Sequence, residues 1–309
     1  MQETKKTNAK NVGSFISNEY FQFLTGNFKN HFPSINNATC IIPCDLIYQT
    51  LQSSDKITGI RFMYGLRDLL NPNSIHLFLV PCVTPADDVE NWSPLVSKSG
   101  YYNHQGDLFT ITEVAEMVHN FVGYYAEGIH ATYKDATRGI YFGINSLLGI
   151  LNIPQTHSIQ FHLGLKDKTI PAVLQPLDQL GQPIPDIYMD YGQLDPDSIP
   201  DAPCIATLAV ETLSIEKELN LFRAFRDTSM RDYLYGGMLY EMYYFISPFV
   251  TSVIAHHPNK NELLKDLYNN AITPFRILIQ NEKHQEALFL LKRALEDLVN
   301  THQVSYALA

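Results

Sequence analysis

The sequence predicts an α+β fold: two tandem, divergent helix-strand-helix-strand-strand repeats forming sheet layers, followed by an all-α region. Three observations carry this. First, Gly59-Ile60-Arg61-Phe62-Met63-Tyr64-Gly65-Leu66-Arg67-Asp68 is echoed 99 positions later by Ser158-Ile159-Gln160-Phe161-His162-Leu163-Gly164-Leu165-Lys166-Asp167. Both stretches alternate apolar residues at the period of a half-buried strand, then end in Gly-Leu, a basic residue and Asp, as a strand entering a turn would. Second, helical and strand periods fall in the same order around each copy. Third, beyond residue 200 apolar residues recur at three- and four-residue spacing, the period of helices. The organisation expected is a disordered polar tail over 1–13, a first repeat over 14–108, a second over 109–200 that closes in a Pro/Asp-rich linker, and a helical C-terminal domain over 201–309.

In the first repeat, Ser14 or Ser17 can cap a helix whose face is Phe21, Leu24 and Phe28. Pro33 stops it, because the residue before a proline resists the helical region. Cys40-Ile41-Ile42 reads as a short strand and Asp45 as the cap of a second helix carrying Leu46, Ile47, Tyr48 and Leu51. The strand at 59–65 follows, then an Asn71-Pro72-Asn73 turn. Ile75 to Val80 is apolar almost throughout, as a central buried strand would be.

The second repeat opens with Thr110 and Glu113 at capping-box spacing ahead of a stripe of Val114, Met117, Val118, Phe121 and Val122. Gly139 to Phe142 aligns with Cys40 to Pro43 at the same offset, and Asn145 can cap a helix carrying Leu147, Leu148 and Leu151. The echo strand at 158–164 comes next, and Ile170 to Pro176 aligns with Ile75 to Pro81. Pro171 cannot donate to a ladder, so this strand is expected at a sheet edge or beginning beside one. From 178 to 203, five prolines and six aspartates read as an extended, solvated connector. Asp195, Asp197 and Asp201 lack the glycine and glutamate of an EF-hand loop, so calcium is not expected there.

A net charge of −10 argues against a phosphate-backbone partner, and no nucleic acid is expected. The four cysteines, at 40, 44, 82 and 204, are too sparse for a disulfide framework, and the N-terminus lacks an apolar leader core. The expected location is the cytoplasm. Met242 to Ala255 carries no charge but is too short for a membrane span and contains Pro248, so a buried helix pair is expected and membrane contact is not.

Candidate chemistry is thin. Cys40, Cys44, Cys82 and His76 could supply a thiolate–imidazole zinc site, but the second repeat has Gly139, Gly143 and Leu177 where the cysteines stand. Arg223, Arg226 and Asp227 could form an anion or interaction site, or a structural ion pair among aromatics. The chain has no nucleophile elbow, phosphate loop, dinucleotide fingerprint or His-Glu-x-x-His. No catalytic residue, metal or cofactor is therefore assigned.

The sequence of short strand, helix, Gly59 to Leu66 and apolar strand resembles a module of Bacteroidetes hypothetical proteins over about 70 residues in each copy. From Pro203-Cys204-Ile205-Ala206-Thr207, through Arg223 to Asp227, to Tyr243-Tyr244-Phe245-Ile246-Ser247-Pro248, the chain resembles the CFI-box C-terminal domain. It departs at the start, where Ile205 follows Cys204 directly. That resemblance implies a helical C-terminal module and transfers no activity. The function expected is that of a non-enzymatic structural or interaction protein that forms a homo-oligomer or takes a protein partner. The alternative is an enzyme or small-molecule binder with its site in the crevice between the repeats.

Overall fold

The computed structural model describes residues 8–35, 38–83, 93–95, 100–131, 136–195, 221–222, 224–225, 230, 236–255 and 257–301. In chain order they form β1 (Ser14–Ile16), α1 (Asn18–His31), β2 (Thr39–Pro43), α2 (Cys44–Gln52), β3 (Ile57–Leu66) and β4 (Ile75–Val83). Short strands β5 (Ser93–Pro94), β6 (Tyr101–Asn103) and β7 (Leu108–Phe109) follow. Then come α3 (Ile111–Gly128), β8 (Gly139–Gly143), α4 (Ile144–Leu151), β9 (Ser158–Leu163), β10 (Ala172–Leu177), β11 (Tyr188–Asp190) and β12 (Gln193–Asp195). Near the C-terminus lie α5 (Gly236–Ala255), α6 (Lys260–Leu267), a π-helical turn (Tyr268–Ile272), α7 (Thr273–Gln280) and α8 (His284–Thr301).

Local chemistry accounts for the helix starts. Ser17 Oγ accepts the Tyr20 N–H at the head of α1. At α3 the Thr110 hydroxyl accepts the Glu113 N–H while the Glu113 carboxylate accepts the Thr110 N–H at 2.7 Å, a complete capping box. The other two caps differ from expectation. Helices α2 and α4 begin two residues earlier, with Pro43 and Gly143 at the cap and no side-chain bond. Asp45 and Asn145 therefore sit inside the first turn, and Asn145 instead donates to Asn11 Oδ1 at 2.7 Å.

Two antiparallel sheets result, one of five strands in the order β1-β11-β10-β9-β2 and one of seven, β12-β8-β3-β4-β6-β7 with β5 beside β4. The order helix, strand, helix, strand, strand runs from α1 to β4 and again from α3 to β10, yet neither set keeps its own sheet. Strand β2 pairs with β9 and β8 pairs with β3, so the first strand of each set lies against the hairpin of the other. The sheets stack face to face. Ile60, Phe62, Tyr64 and Leu66 of β3 meet Ile159, Phe161 and Leu163 of β9, and α2 and α4 add Ile47, Leu51, Leu147 and Ile150. Alternate residues of β3 and β4, Met63, Phe78 and Val80, face outward onto α3 and α5, which is why β3 is buried along all ten residues. The outer face of the five-stranded sheet is covered by Phe21 and Leu24 of α1.

Four expectations change. Strand β10 is interior, between β9 and β11; Pro171 stands just before its first residue, so the missing donor is not needed in the ladder. The stretch expected as a connector supplies β11 to one sheet and β12 to the other, because Tyr188 and Met189 give it apolar residues on both faces. Part of the expected tail is docked: Ala9–Asn11 forms a 3-10 turn, with Ala9 and Val12 buried. Met242 to Ala255 belongs to one helix, α5, that continues through Pro248. Among the described residues no helix is long and apolar enough to cross a membrane.

Candidate functional site

The zinc candidates do not converge. Cys40 and Cys44 lie in the core between the sheets, whereas Cys82 packs with Ala9, Val12 and Tyr141. Burial pushes the Cys40 and Cys82 thiols up to about 12, and burial with the nearby Asp45 charge pushes Cys44 up to about 11. All three are neutral thiols at pH 7, and the thiolate is the metal ligand. His76 lies elsewhere, its Nδ1 accepting from Asn103 Nδ2 at 3.3 Å and its ring beside His104. Among the described residues no three His, Cys, Asp or Glu could hold a metal ion together. Cys204, Arg223, Arg226 and Asp227 lie outside the described residues.

The crevice foreseen between the repeats is occupied. Phe62 and Phe161 approach to 5.6 Å between ring centroids, Tyr64 and Phe161 to 5.9 Å, and the Tyr64 hydroxyl is committed to the Ile170 carbonyl. Buried charge gathers on the other face of the seven-stranded sheet instead. Arg138 Nε meets Glu241 Oε2 of α5 at 2.6 Å, with side chains 5% and 3% exposed, and Arg138 Nη1 donates to the Ala136 carbonyl. Arg61 of β3 is also buried. Its desolvation, together with the like charge of Arg138, brings it down to about 10 against the pull of Cys82, Glu241 and Tyr101. His119 of α3 is lowered by burial, and its ring lies so close to Gly237 that a Cβ there would stand 2.1 Å away. The cluster contains no activated nucleophile. Its geometry fastens α5 to α3 and to the segment before β8.

A different kind of site lies at the edge of the five-stranded sheet. Strand β1 is its outermost strand, and Phe15 is 54% exposed there. Beside it, α1 turns Phe21, Leu24 and Phe28 inward, which leaves Tyr20 and Phe23 off the buried stripe. Tyr20 stacks with Phe23 (6.1 Å between centroids, planes 15° apart) and with Tyr191 (5.8 Å, 11°). Phe23 is 51% and Tyr191 58% exposed. Tyr191 takes φ 56°, a left-handed conformation uncommon for an aromatic residue, where the chain leaves β11 for β12. Lys166 Nζ stands 5.8 Å from the Tyr20 ring centroid, and its pKa is raised chiefly by a hydrogen bond with Tyr20. Next to Tyr191, the buried Asp190 carboxyl is pushed up to about 6 by desolvation, against the Tyr191 N–H and the Lys166 charge.

Sequence reasoning missed this surface. The signal available was the surplus of aromatics on α1: two rings beyond those its buried stripe needs. Tyr191 carried none, because its position depends on β11 joining the sheet. Compared with family models, curated proteins and solved structures, the chain matches none.

Proposed function

We propose that this chain is a non-enzymatic structural or interaction protein of the cytoplasm that assembles into a homo-oligomer through the β1 edge of its five-stranded sheet. The observation that carries the reading is the exposed aromatic group at that edge: Phe15 on the outermost strand, with Tyr20, Phe23 and Tyr191 stacked beside it. An outermost strand offers a row of backbone donors and acceptors, and aromatic residues are enriched where protein surfaces meet.

We also read the two element sets as a tandem duplication whose product is a fused pseudo-dimer. The reciprocal pairing of β2 with β9 and β8 with β3 supports this, since two identical halves exchanging their first strands would give the same arrangement. The helical C-terminal domain of the CFI-box resemblance belongs to the same proposal; α5 to α8 are in keeping with it. Sedimentation velocity over a hundredfold dilution tests the assembly. A species of at least twice the chain mass that dissociates on dilution is expected, and a monomer at every concentration would overturn the reading.

A further inference from the structure

Residues 8–16 cross from one sheet to the other as a single arm. Asn8 caps the 3-10 turn by accepting the Lys10 N–H. Four hydrogen bonds then hold the segment to β8 and α4: Tyr141 Oη to the Ala9 carbonyl (3.0 Å), Gly143 N–H to the Val12 carbonyl (2.8 Å), Asn145 Nδ2 to Asn11 Oδ1 (2.7 Å) and Ser146 Oγ to the Gly13 carbonyl (2.9 Å). The seat is built for a backbone. A Cβ on Gly143 would stand 2.4 Å from the Ala9 carbonyl oxygen, so only glycine admits the arm this closely. Gly13, with φ 106°, then swings the chain across, and Ser14 to Ile16 pair with Asp190 to Tyr188.

We propose that this arm is exchanged between copies, so that residues 8–16 of one chain fill the Gly143 seat and the β11 edge of a second. The inference rests on the self-association proposed above and names the element that produces it. Few side chains anchor the arm: Ala9 and Val12 are buried, while Ser14 and Phe15 are exposed. On the arm's side its attachment is mostly through backbone carbonyls and the β1–β11 pairing, which a second copy reproduces without loss. The hinge would lie at exposed Ser17, directly before α1, and Tyr20 and Phe23 occupy the first two turns of that helix. A two-fold exchange at Ser17 would place the Tyr20–Phe23 stack next to the point where the two chains cross.

The test uses full-length chains with Cys204→Ser as background. One carries Asn11→Cys and the other Asn145→Cys, both at exposed positions that touch in the docked arm. The two are unfolded together in urea, refolded and treated with a short bis-maleimide. A cross-linked pair containing one chain of each type is expected, with a yield that rises at least several-fold over a tenfold increase in concentration. The chain carrying both substitutions serves as control and closes within itself or between copies. Cross-linking confined to single chains of that control, with no mixed pair from the single variants, overturns the exchange. If the protein then still sediments as a dimer, self-association survives and the arm is not its cause; a monomer removes both.

Discussion

His162 and Asp190 face the α1 side of the five-stranded sheet and oppose each other in their response to pH. Burial brings the His162 imidazole down to about 4, despite its bond with Gln175, whereas burial lifts Asp190 to about 6. Between pH 4 and 6.5 the unfolded chain binds a proton at His162 that the folded one refuses, so this residue removes stability as pH falls. Over pH 4 to 6 the folded chain holds a proton at Asp190 that the unfolded one has released, so this residue removes stability as pH rises. Each is worth up to about 3 kcal/mol at full displacement. Urea unfolding at pH 4.5, 5.5 and 7 should show His162→Gln gaining on the parent chain as pH falls and Asp190→Asn gaining as pH rises. Parallel profiles for all three proteins would contradict both assignments. The Arg138–Glu241 pair makes a separate prediction. Removing one partner, as in Glu241→Gln or Arg138→Met, strands the other in a buried site and should cost about 3–5 kcal/mol. The double replacement Arg138→Met/Glu241→Gln should cost clearly less than the sum, and denaturant unfolding of the cycle reads the coupling.

The docked arm ties the N-terminal residues to β8 and α4, and Gly143→Ala tests that tie directly. The added methyl cannot be accommodated against the Ala9 carbonyl and the Lys10 backbone, so the arm, β1 included, should lift while the remaining strands of both sheets stay paired. Limited proteolysis should then cut between residues 8 and 17 at least tenfold faster than in the parent, with little change in the circular dichroism of the body. How much could be read from the sequence follows the range of the interactions. The α1 and α3 starts, the 59–65 strand and the 75–80 strand were legible because caps and short periods are local. Asp45 and Asn145 were misread because two helices start on Pro43 and Gly143, where the preceding strand decides the start. Tyr188 to Asp190 looked like a connector because three residues carry no period, and only the neighbouring β1 and β10 make them a strand. The Tyr191 part of the aromatic surface was illegible for the same reason: Tyr20 and Tyr191 are far apart in sequence and meet only once β11 is in place.

Exchange of first strands between the two element sets makes one cooperative body of the two halves. A protease site introduced between His130 and Ala136 should yield fragments that co-sediment under native conditions, because β2 stays within the sheet of β9 and β8 within that of β3. They should part only in denaturant; separation in native buffer would contradict the intertwined arrangement. What such a body does is proposed to follow from its exposed edge. The sheet faces are covered by α1 on one side and by α3 and α5 on the other, whereas β1 presents Phe15 next to three stacked rings. The most direct test is sedimentation velocity of the parent chain beside Phe23→Asp/Tyr191→Asp. These are surface positions whose change should leave folding stability within about 1 kcal/mol. The parent is expected as a concentration-dependent oligomer and the double variant as a folded monomer at the same concentration. An unchanged oligomer in the variant, or a monomeric parent, would contradict assembly through this edge.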